Sequence, residues 1–314
     1  MQSKPNLLPD KINFAEYYKK AQSTRIIVNA RNFEFDLAQR AASGHVVQGA
    51  KLPWIKTQDD VGLVAGDLSI WAGINGHGKS TLLLQVCNHL IAQGEGVCIA
   101  SLEMPIIETL YMMACQVARC EPSHEFTGKF LAWAGDRLWL FNQKGSASQD
   151  AILGAISWSA EYRGVKHFVI DNLMMVTDGE SGERAMNSQK TFIEKLKRCA
   201  DDVGVHVHLV HHVRKGESES DRPNKFDLKG SGAIADLSDQ IFIVWRNKKR
   251  EAYFQHPNRK PDPELEAQAG ATLAVVKNRR VGIEKSYALW FDRASRQFSP
   301  TSDARPFDLT LGEL

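Results

Sequence analysis

The sequence predicts an α/β protein in which helices flank a mostly parallel sheet, and three observations predict this class. From Asp67 onward, short apolar runs alternate with longer segments of helical periodicity, as in βαβ units. A glycine-rich segment stands between the first of these apolar runs and the first helical segment. The last apolar runs follow one another without long helices, which predicts an antiparallel edge to the sheet.

The predicted strands and helices alternate along the main part of the chain. The strands cover residues 68–72, 97–102, 138–141, 167–170, 205–210, 241–245 and 272–276. The helices between them cover residues 79–92, 106–118, 150–162 and 184–203. Two segments rich in charged and turn-forming residues, 214–228 and 246–260, are predicted to be surface loops.

Length and composition indicate one large domain with appendages. The chain has 314 residues, 43% of them hydrophobic, and a net charge of only +2. We predict an N-terminal arm or linker at residues 1–60, with short helices at 13–22 and 31–42, because this part has too few apolar residues for its own core. The main domain covers residues 61–300, and a C-terminal tail covers residues 301–314.

The sequence contains no sign of a membrane-spanning or secreted protein. No apolar run approaches the roughly 20 residues that a spanning helix needs, and the first residues lack the layout of a signal peptide. The five cysteines include no CxxC pair, which argues against a zinc site and favours a reducing compartment. We therefore expect a cytoplasmic protein with no membrane partner.

The glycine-rich segment Gly73-Ile-Asn-Gly-His-Gly-Lys-Ser80 fits the phosphate-binding pattern G-x-x-x-x-G-K-[ST]. Its glycines let backbone N–H groups turn toward phosphates, and the N-terminus of the next helix adds its dipole. Lys79 is expected to reach the β- and γ-phosphates, and the Ser80 hydroxyl to bind Mg²⁺. The segment therefore predicts a site for ATP, or another nucleoside triphosphate, with Mg²⁺. The predicted nucleotide-binding residues are Asn75, Gly76, His77, Gly78, Lys79, Ser80 and Thr81.

Two acidic residues follow predicted strands and complete the predicted site. Asp171 ends the run His167-Phe-Val-Ile-Asp171, the pattern of a carboxylate beside the magnesium ion. Glu103 follows another apolar run and is a candidate general base for the attacking water. Since ligands gather at the carboxyl ends of parallel strands, these residues are expected to converge with Lys79. Taken alone, Glu103 is equally explained as an acid that favours a helix N-terminus.

Five further motifs follow the P-loop along the chain or support its site. They are Ser101-Leu-Glu-Met-Pro105, Val169-Ile-Asp-Asn-Leu173, Val210-His-His-Val-Arg-Lys215, Lys229-Gly-Ser-Gly-Ala-Ile-Ala-Asp-Leu-Ser-Asp239 and Val276-Lys-Asn-Arg279. In this order they resemble the RecA-like motor domain of hexameric replicative helicases. The resemblance is to the DnaB-type enzymes and, more closely, to phage primase–helicases and mitochondrial Twinkle. It covers about residues 50–300.

The resemblance implies a RecA-like P-loop NTPase that assembles into a homo-oligomeric ring, expected to be a hexamer. Such a ring translocates on single-stranded DNA, 5′ to 3′, and separates the duplex. Primase and polymerase would be separate partners, because the sequence has neither an N-terminal primase region nor a zinc-binding cysteine set. If the chain is phage-encoded, the host cytoplasm is its expected location.

The resemblance also assigns roles to the later motifs. His212 aligns best with the strand-end histidine that senses the γ-phosphate, and His211 is its competitor. Arg279 is expected to act as an arginine finger in trans with Lys277 as its helper, whereas Arg280 is the weaker candidate. Judged from the residues alone, a buried, satisfied histidine and a solvated basic strand edge are the ordinary interpretations.

The Lys229 motif corresponds by resemblance to the loop that grips DNA in the central channel. Lys229, Gly230 and Ser231 are expected to contact the phosphates of single-stranded DNA without reading bases. Weaker candidates for the same contact are Arg214, Lys215 and Lys225. A flexible surface loop is the alternative. By analogy with the helicase linker, a helix of the arm is expected to pack on the neighbouring subunit.

Some features depart from the family or leave other functions open. Asp236 occupies a position that is often glutamine in relatives, and the insert at residues 246–266 has no predicted role. A RecA- or RadA-like strand-exchange ATPase would share the P-loop, the strand-end glutamate and the DNA loops. An NTP-gated oligomeric regulator or assembly factor is the second alternative, and turnover indifferent to DNA would distinguish it.

Overall fold

The computed structural model describes residues 29–42, 47–143, 145–176, 182–213, 222–228, 232–303 and 305–314. The predicted arm helix at residues 13–22 lies outside these ranges. The domain boundaries proposed from the sequence, at residues 60/61 and 300/301, stay a prediction.

The strands of the described residues form a small antiparallel pair and one large mixed sheet. They are β1 (Ala50–Lys51), β2 (Gly62–Leu63), β3 (Leu68–Gly73), β4 (Gly96–Ser101), β5 (Leu138–Leu140), β6 (Val165–Asp171), β7 (His206–His212), β8 (Gln240–Arg246), β9 (Ala271–Asn278), β10 (Lys285–Phe291) and β11 (Phe298–Ser299). The large sheet has the order β11–β10–β9–β8–β3–β7–β6–β4–β5.

Helices cover both faces of this sheet. They are α1 (Glu34–Ala42), α2 (Lys79–Ala92), α3 (Ile106–Ala118), α4 (His124–Ala134), α5 (Gln149–Arg163), α6 (Gly182–Val203), α7 (Ala233–Leu237), α8 (Lys248–Gln255) and α9 (Pro263–Ala267). Caps explain several of their beginnings: the Ser148 hydroxyl accepts from the backbone N of Ala151 at α5, and the Ser123 hydroxyl from that of Phe126 at α4.

The predicted fold class is confirmed. The strands from β8 to β5 pair in parallel, whereas β9, β10 and β11 pair antiparallel and form one edge. Each predicted strand and main-domain helix is present with ends within about two residues of the prediction. The prediction missed α4, β10, β11 and the short helices α7, α8 and α9.

Two apolar cores lie on opposite faces of the sheet because side chains alternate along each strand. On one face, Ile70 of β3 and Leu209 of β7 pack with helices α5 and α6. On the other face, Trp71 and Val210 pack with α2, α3 and α4. Both faces of the parallel strands are therefore buried, which explains their nearly continuous apolar runs.

The described part of the N-terminal arm contains the predicted helix at residues 31–42. A 3₁₀ turn at Ala30–Phe33 leads into α1. Phe33, Phe35 and Leu37 are 50%, 76% and 70% exposed. The helix therefore presents apolar side chains to its surroundings instead of burying them in the main domain.

The C-terminal segment packs on the main domain. The Trp133 indole N–H donates to the Glu313 carboxylate at 2.8 Å, and Leu309 is fully buried. Among the described residues, no helix combines the length and apolarity needed to cross a bilayer.

Candidate functional site

The strands that carry the predicted site residues are neighbours in the sheet. Their order is β3, β7, β6 and β4, and all run parallel. Their carboxyl ends therefore meet at one edge, where β3 leads into the P-loop, β7 ends in His212, β6 ends in Asp171 and β4 leads to Glu103. Residues from four separate parts of the chain are brought together in this way.

Two glycines of the P-loop are required by its geometry. A Cβ on Gly73 would lie 2.3 Å from the backbone oxygen of Val244, so only glycine allows β8 to approach this closely. Gly78 has a φ of 84° and precedes the first residue of α2. The backbone thus turns sharply into a helix N-terminus, which is the conformation that suits phosphate groups.

Lys79 is buried in the loop, with 6% of its surface exposed. Its ammonium group donates to the carbonyl oxygens of Gly73 and Ile74, both at 3.1 Å. Burial lowers the pKa of Lys79, while the nearby charges of Asp171 and Glu103 act in the opposite direction. The amine is therefore held inside the loop and lies within the field of both acidic residues.

Asp171 and Ser80 form the oxygen-donor pair that was predicted to hold Mg²⁺. Ser80 hydrogen-bonds the Asp171 carboxylate, which is 8% exposed. Burial raises the pKa of Asp171, and Glu103 adds to the increase. A hydroxyl and a buried carboxylate in contact are the hard oxygen ligands that Mg²⁺ prefers, and a cation would offset the cost of burying the charge. These residues therefore fit the ion.

Asn172 connects two predicted catalytic residues, and sequence reasoning gave it no role. Its side-chain Nδ2 donates to Glu103 Oε1 and lies 3.0 Å from Nε2 of His212. Asn172 is fully buried, and its peptide bond to Asp171 is cis. The only sequence signal was its position directly after Asp171, at the end of a buried strand.

The structure separates the two candidate histidines. His211 is fully buried, whereas His212 is partly exposed and contacts Asn172. Because the two follow one another on β7, their side chains point to opposite faces of the sheet. His212 is the histidine that lies with Glu103 and Asp171, in agreement with its better alignment.

The remaining predicted nucleotide-binding residues lie in the loop or in the first turn of α2. Asn75 and Gly76 are exposed, and Ser80 and Thr81 are partly exposed. The His77 side chain, in contrast, is fully buried and accepts a hydrogen bond from the backbone N of Arg246 at 3.1 Å. His77 therefore ties the P-loop to the end of β8.

Arg246 is a second residue that sequence reasoning did not identify. Its guanidinium lies over the Phe291 ring, 4.2 Å from the centroid, and pairs with Glu251 at 2.6 Å. The ideal Cβ position of Gly78 lies 3.6 Å from Arg246 Cδ and 3.0 Å from the ring of Phe298. Flat cationic and aromatic groups thus border the P-loop, and β10 and β11 supply two of them.

Lys277 and Arg279 lie together, but not with the P-loop. The Lys277 amine donates to the carbonyl oxygens of Ala235 and Asp236, at 2.6 and 3.0 Å, at the end of α7. Arg279 donates to the Asp236 carbonyl at 2.9 Å and to the Asp239 carboxylate at 3.2 Å. The Arg279 side chain remains 53% exposed.

The sheet topology sets these two residues apart from their own chain's P-loop. Asn278 pairs with Gln240, which begins β8, and Gln240 pairs with Ser69 near the beginning of β3. The P-loop leaves the other end of β3, which is about 20 Å away for a strand of this length. Arg280, the weaker candidate, makes two 2.7 Å hydrogen bonds to buried Asp67.

Most of the predicted DNA-binding residues lie outside the described ranges. They are Arg214, Lys215, Lys229, Gly230 and Ser231. Lys225 is described, and its amine pairs with Glu284 at 2.7 Å on the surface. The segment from Arg222 to Leu228 is tied to the end of β7 by a bridge between Val213 and Leu228.

Comparisons with known proteins place the chain among replicative helicases. A family model described as the DnaB-like helicase C-terminal domain matches residues 58–300, which is more than half of the chain. A DNA helicase/primase of Enterobacteria phage T3 is 27% identical over 213 residues, covering 60% of this chain and 37% of that protein. The replicative DNA helicase DnaB of Haemophilus influenzae is 25% identical over 204 residues, covering 60% and 44%. The matches thus span less than half the length of either relative.

Two solved structures share the fold. The ATPase domain of another helicase has a TM-score of 0.73 at 15% identity, covering 88% of this chain and 100% of that chain. A DnaB-like replicative helicase, described with its interactions with primase, has a TM-score of 0.65 at 17% identity, covering 87% and 67%. These likenesses confirm the RecA-like fold.

Proposed function

The chain belongs to the DnaB-like helicase C-terminal domain family, and on this premise we propose that it is an NTP-dependent replicative DNA helicase. The ring it forms hydrolyses ATP, or another nucleoside triphosphate, with Mg²⁺. It translocates on single-stranded DNA from 5′ to 3′ and separates the duplex ahead of it. Primase and polymerase act as separate partners.

One observation carries this proposal. Lys79, Ser80, Asp171, Glu103 and His212 come from adjacent parallel strands or the loops after them, and they meet at one edge of the sheet. Nucleotide binding needs only the P-loop. The addition of a magnesium-type carboxylate, a strand-end glutamate and a histidine in contact supports hydrolysis that is coupled to a conformational change.

The proposed mechanism gives each residue a separate task. Lys79 and the P-loop amides hold the phosphates, and Ser80 and Asp171 hold Mg²⁺, which neutralises charge on the transferring phosphoryl group. Glu103 accepts the proton of the attacking water. His212 senses the γ-phosphate at the end of β7. The Arg246–Phe291 pair beside the P-loop offers a flat surface on which a nucleobase can stack.

The proposed site is completed by a neighbouring subunit. Arg279 lies at the far end of the sheet from its own P-loop, and its exposed guanidinium supports a role as a finger in trans with Lys277 as its helper. The exposed apolar residues around α1 support packing of this helix on an adjacent copy. Both features favour a closed homo-oligomeric ring, and we expect a hexamer.

The proposed DNA contact is a loop that follows β7 and precedes α7. Lys229, Gly230 and Ser231 grip phosphates, and Arg214, Lys215 and Lys225 add positive charge nearby. The contact is independent of base sequence, as translocation requires. The bridge between Val213 and Leu228 supports a direct mechanical link between this region and His212.

ATP turnover with and without oligo(dT) tests the function, with oligomer mass measured in parallel. The wild-type ring should hydrolyse ATP faster when DNA is bound, and Lys229→Ala should lose this stimulation with its oligomer intact. Lys249→Ala, which removes an exposed lysine of the insert, is the matched control and should behave like wild type.

The alternatives give different results in the same experiment. Turnover that is indifferent to DNA in every variant would favour the oligomeric regulator. DNA-stimulated turnover on an open filament, without strand separation in a forked-duplex assay, would favour a strand-exchange ATPase.

A further inference from the structure

The orientation of the Asn172 side chain is determined by its contacts. Its Oδ1 accepts a hydrogen bond from the backbone N of Met174 at 2.8 Å. Its amide nitrogen consequently faces the Glu103 carboxylate and Nε2 of His212. A flipped amide would direct an oxygen at the carboxylate and an N–H₂ group at the N–H of Met174, so the geometry excludes it.

One amide nitrogen therefore serves two acceptors. The two hydrogens of Nδ2 are directed at Glu103 Oε1 and at His212 Nε2, which must carry a lone pair to accept. A neutral imidazole with an unprotonated Nε2 has its proton on Nδ1. Asn172 thus selects one tautomer of His212 while it also sets the direction of the Glu103 carboxylate.

Burial makes these contacts consequential. Asn172 has no exposed surface, so a displaced amide hydrogen has no solvent to bond instead. Any rearrangement that removes His212 from Nδ2 therefore changes the surroundings of Glu103. His212 is followed by Val213, which bridges to Leu228 in the segment leading to the proposed DNA loop.

We propose that Asn172 is a positioning residue that couples the state of His212, and through it the DNA-binding region, to the orientation of the Glu103 carboxylate. This inference rests on the proposed function and deepens it. His212 Nε2 accepts from Asn172 when it does not engage phosphate. Donation of a proton from Nε2 to a γ-phosphate oxygen requires the other tautomer, which releases the amide and resets Glu103.

Two substitutions of Asn172 test the coupling. Asn172→Asp keeps an oxygen for the N–H of Met174 but removes both amide hydrogens, and Asn172→Ser does so without adding charge. In both, we expect oligo(dT)-stimulated kcat to fall about 10- to 100-fold, as for other partners that orient a reacting group. The KM for ATP and the Kd of a fluorescent ATP analogue should stay within about threefold, because the phosphate-binding residues are untouched.

Asn247→Asp is the matched control. Asn247 is 3% exposed, its Oδ1 accepts from the backbone N of Arg250 at 3.0 Å, and its Nδ2 donates to Gln268 at 2.8 Å. The exchange therefore removes the same kind of buried donor from an equally capped asparagine outside the Glu103–His212 contact. It should lower the melting temperature about as much and leave DNA-stimulated turnover unchanged.

A double-mutant cycle separates coupling from an independent defect. In a His212→Ala background, Asn172→Ser should reduce the DNA stimulation ratio little further, because its partner is already absent. Additive losses in this cycle would overturn the coupling. DNA-stimulated turnover within twofold of wild type in a folded Asn172→Ser ring would overturn it as well.

A spectroscopic measurement examines the same contact without turnover. In sedimented, nucleotide-free protein labelled with ¹⁵N-histidine, the His212 resonances, assigned with His212→Gln, should show a protonated Nδ1 and an unprotonated Nε2. Asn172→Ser should shift this population toward the other tautomer, and an unchanged population would contradict the inference. If wild type itself neither hydrolyses ATP nor responds to DNA, the proposed function fails, whereas the tautomer result stands by itself.

Discussion

Glu103 is the residue on which hydrolysis depends most directly in the proposed mechanism. Glu103→Gln keeps the size of the side chain and an oxygen for Asn172, but it removes the base. We expect kcat to fall about 10²- to 10⁴-fold while ATP analogue binding persists. Steady-state turnover together with equilibrium binding of the analogue measures the two effects separately.

Glu95→Gln is the control for this substitution. Glu95 precedes β4 at its opposite end, so its loss should leave turnover unchanged. Comparable loss in both variants, or normal turnover in Glu103→Gln, would remove Glu103 from the role of general base.

Single residues were predictable where a local pattern dictates them. Lys79 and Ser80 follow from the spacing of the P-loop, and Asp171 follows from a buried strand that ends in an acid. Asn172 was not predictable in this way, because its contacts to Glu103 and His212 join positions 69 and 40 residues away. Only the sheet order brings these partners together.

Among the strands, β6 and β7 carry a row of buried polar side chains below the site edge. His167, His206 and His208 are all at most 3% exposed, and their rings stack or tilt against one another. The Trp71 indole N–H donates to His208 at 3.2 Å, and the Ser69 hydroxyl lies 2.7 Å from His206. Each ring is thus supported as a neutral hydrogen-bonding group.

This histidine row predicts acid sensitivity of the fold. Burial lowers the pKa of all three, that of His206 to about 4. Histidine in an unfolded chain titrates near 6.5, so between these values the unfolded state binds more protons. The stabilisation is complete above about pH 6.5 and is lost as the pH falls toward 4, by about 1.4 kcal/mol per pH unit for each group.

Urea unfolding at pH 7.5, 6.5 and 5.5 measures this dependence. His206→Gln should lower stability at neutral pH but flatten the decline below pH 6.5, because one of the titrating groups is gone. His256→Gln, at an exposed position, should leave the slope unchanged. A slope that is the same in all three proteins would exclude the buried row as its cause.

Whole elements were predicted best where burial on both faces produces a continuous apolar run. This holds for the parallel strands β3, β4, β6, β7 and β8. The edge strands β10 and β11 were missed because their residues include polar positions that are covered only in three dimensions: Gln297 donates to the carbonyls of Gln116 and Phe307, and Ser299 is 2% exposed. Helix α4 was missed because Thr127 and Gly128 interrupt its apolar pattern.

At the scale of the molecule, the described chain carries two halves of a site at opposite ends of its sheet. The P-loop edge holds Lys79, Asp171 and Glu103, and the other end holds Arg279 beside α7. One chain cannot join them, since the strands between them are about 20 Å long. A ring that repeats the same contact joins each half to its neighbour's, and the exposed apolar residues of the α1 region favour such a contact.

Mixed rings test this arrangement directly. Lys79→Ala removes phosphate binding but leaves the finger, whereas Arg279→Ala leaves the phosphate site but removes the finger. Each alone should lose turnover, by about 10³- to 10⁵-fold for the finger. When equal amounts are dissociated and reassembled together, roughly a quarter of the interfaces pair an intact site with an intact finger, given random order around a closed ring. ATP turnover should therefore reappear in the mixture.

The control and the contrary outcome follow from the same geometry. Arg198→Ala removes an exposed arginine of α6 and should retain full turnover in its own ring. If Arg279 acted within its own subunit, every subunit of the mixed ring would lack one essential group, and mixing would restore nothing. Native mass measurement must show mixed oligomers, because only a ring that contains both variants discriminates between the two arrangements. Recovery in such rings requires each subunit's nucleotide to be completed by the next, which is the condition for hydrolysis to pass around the ring.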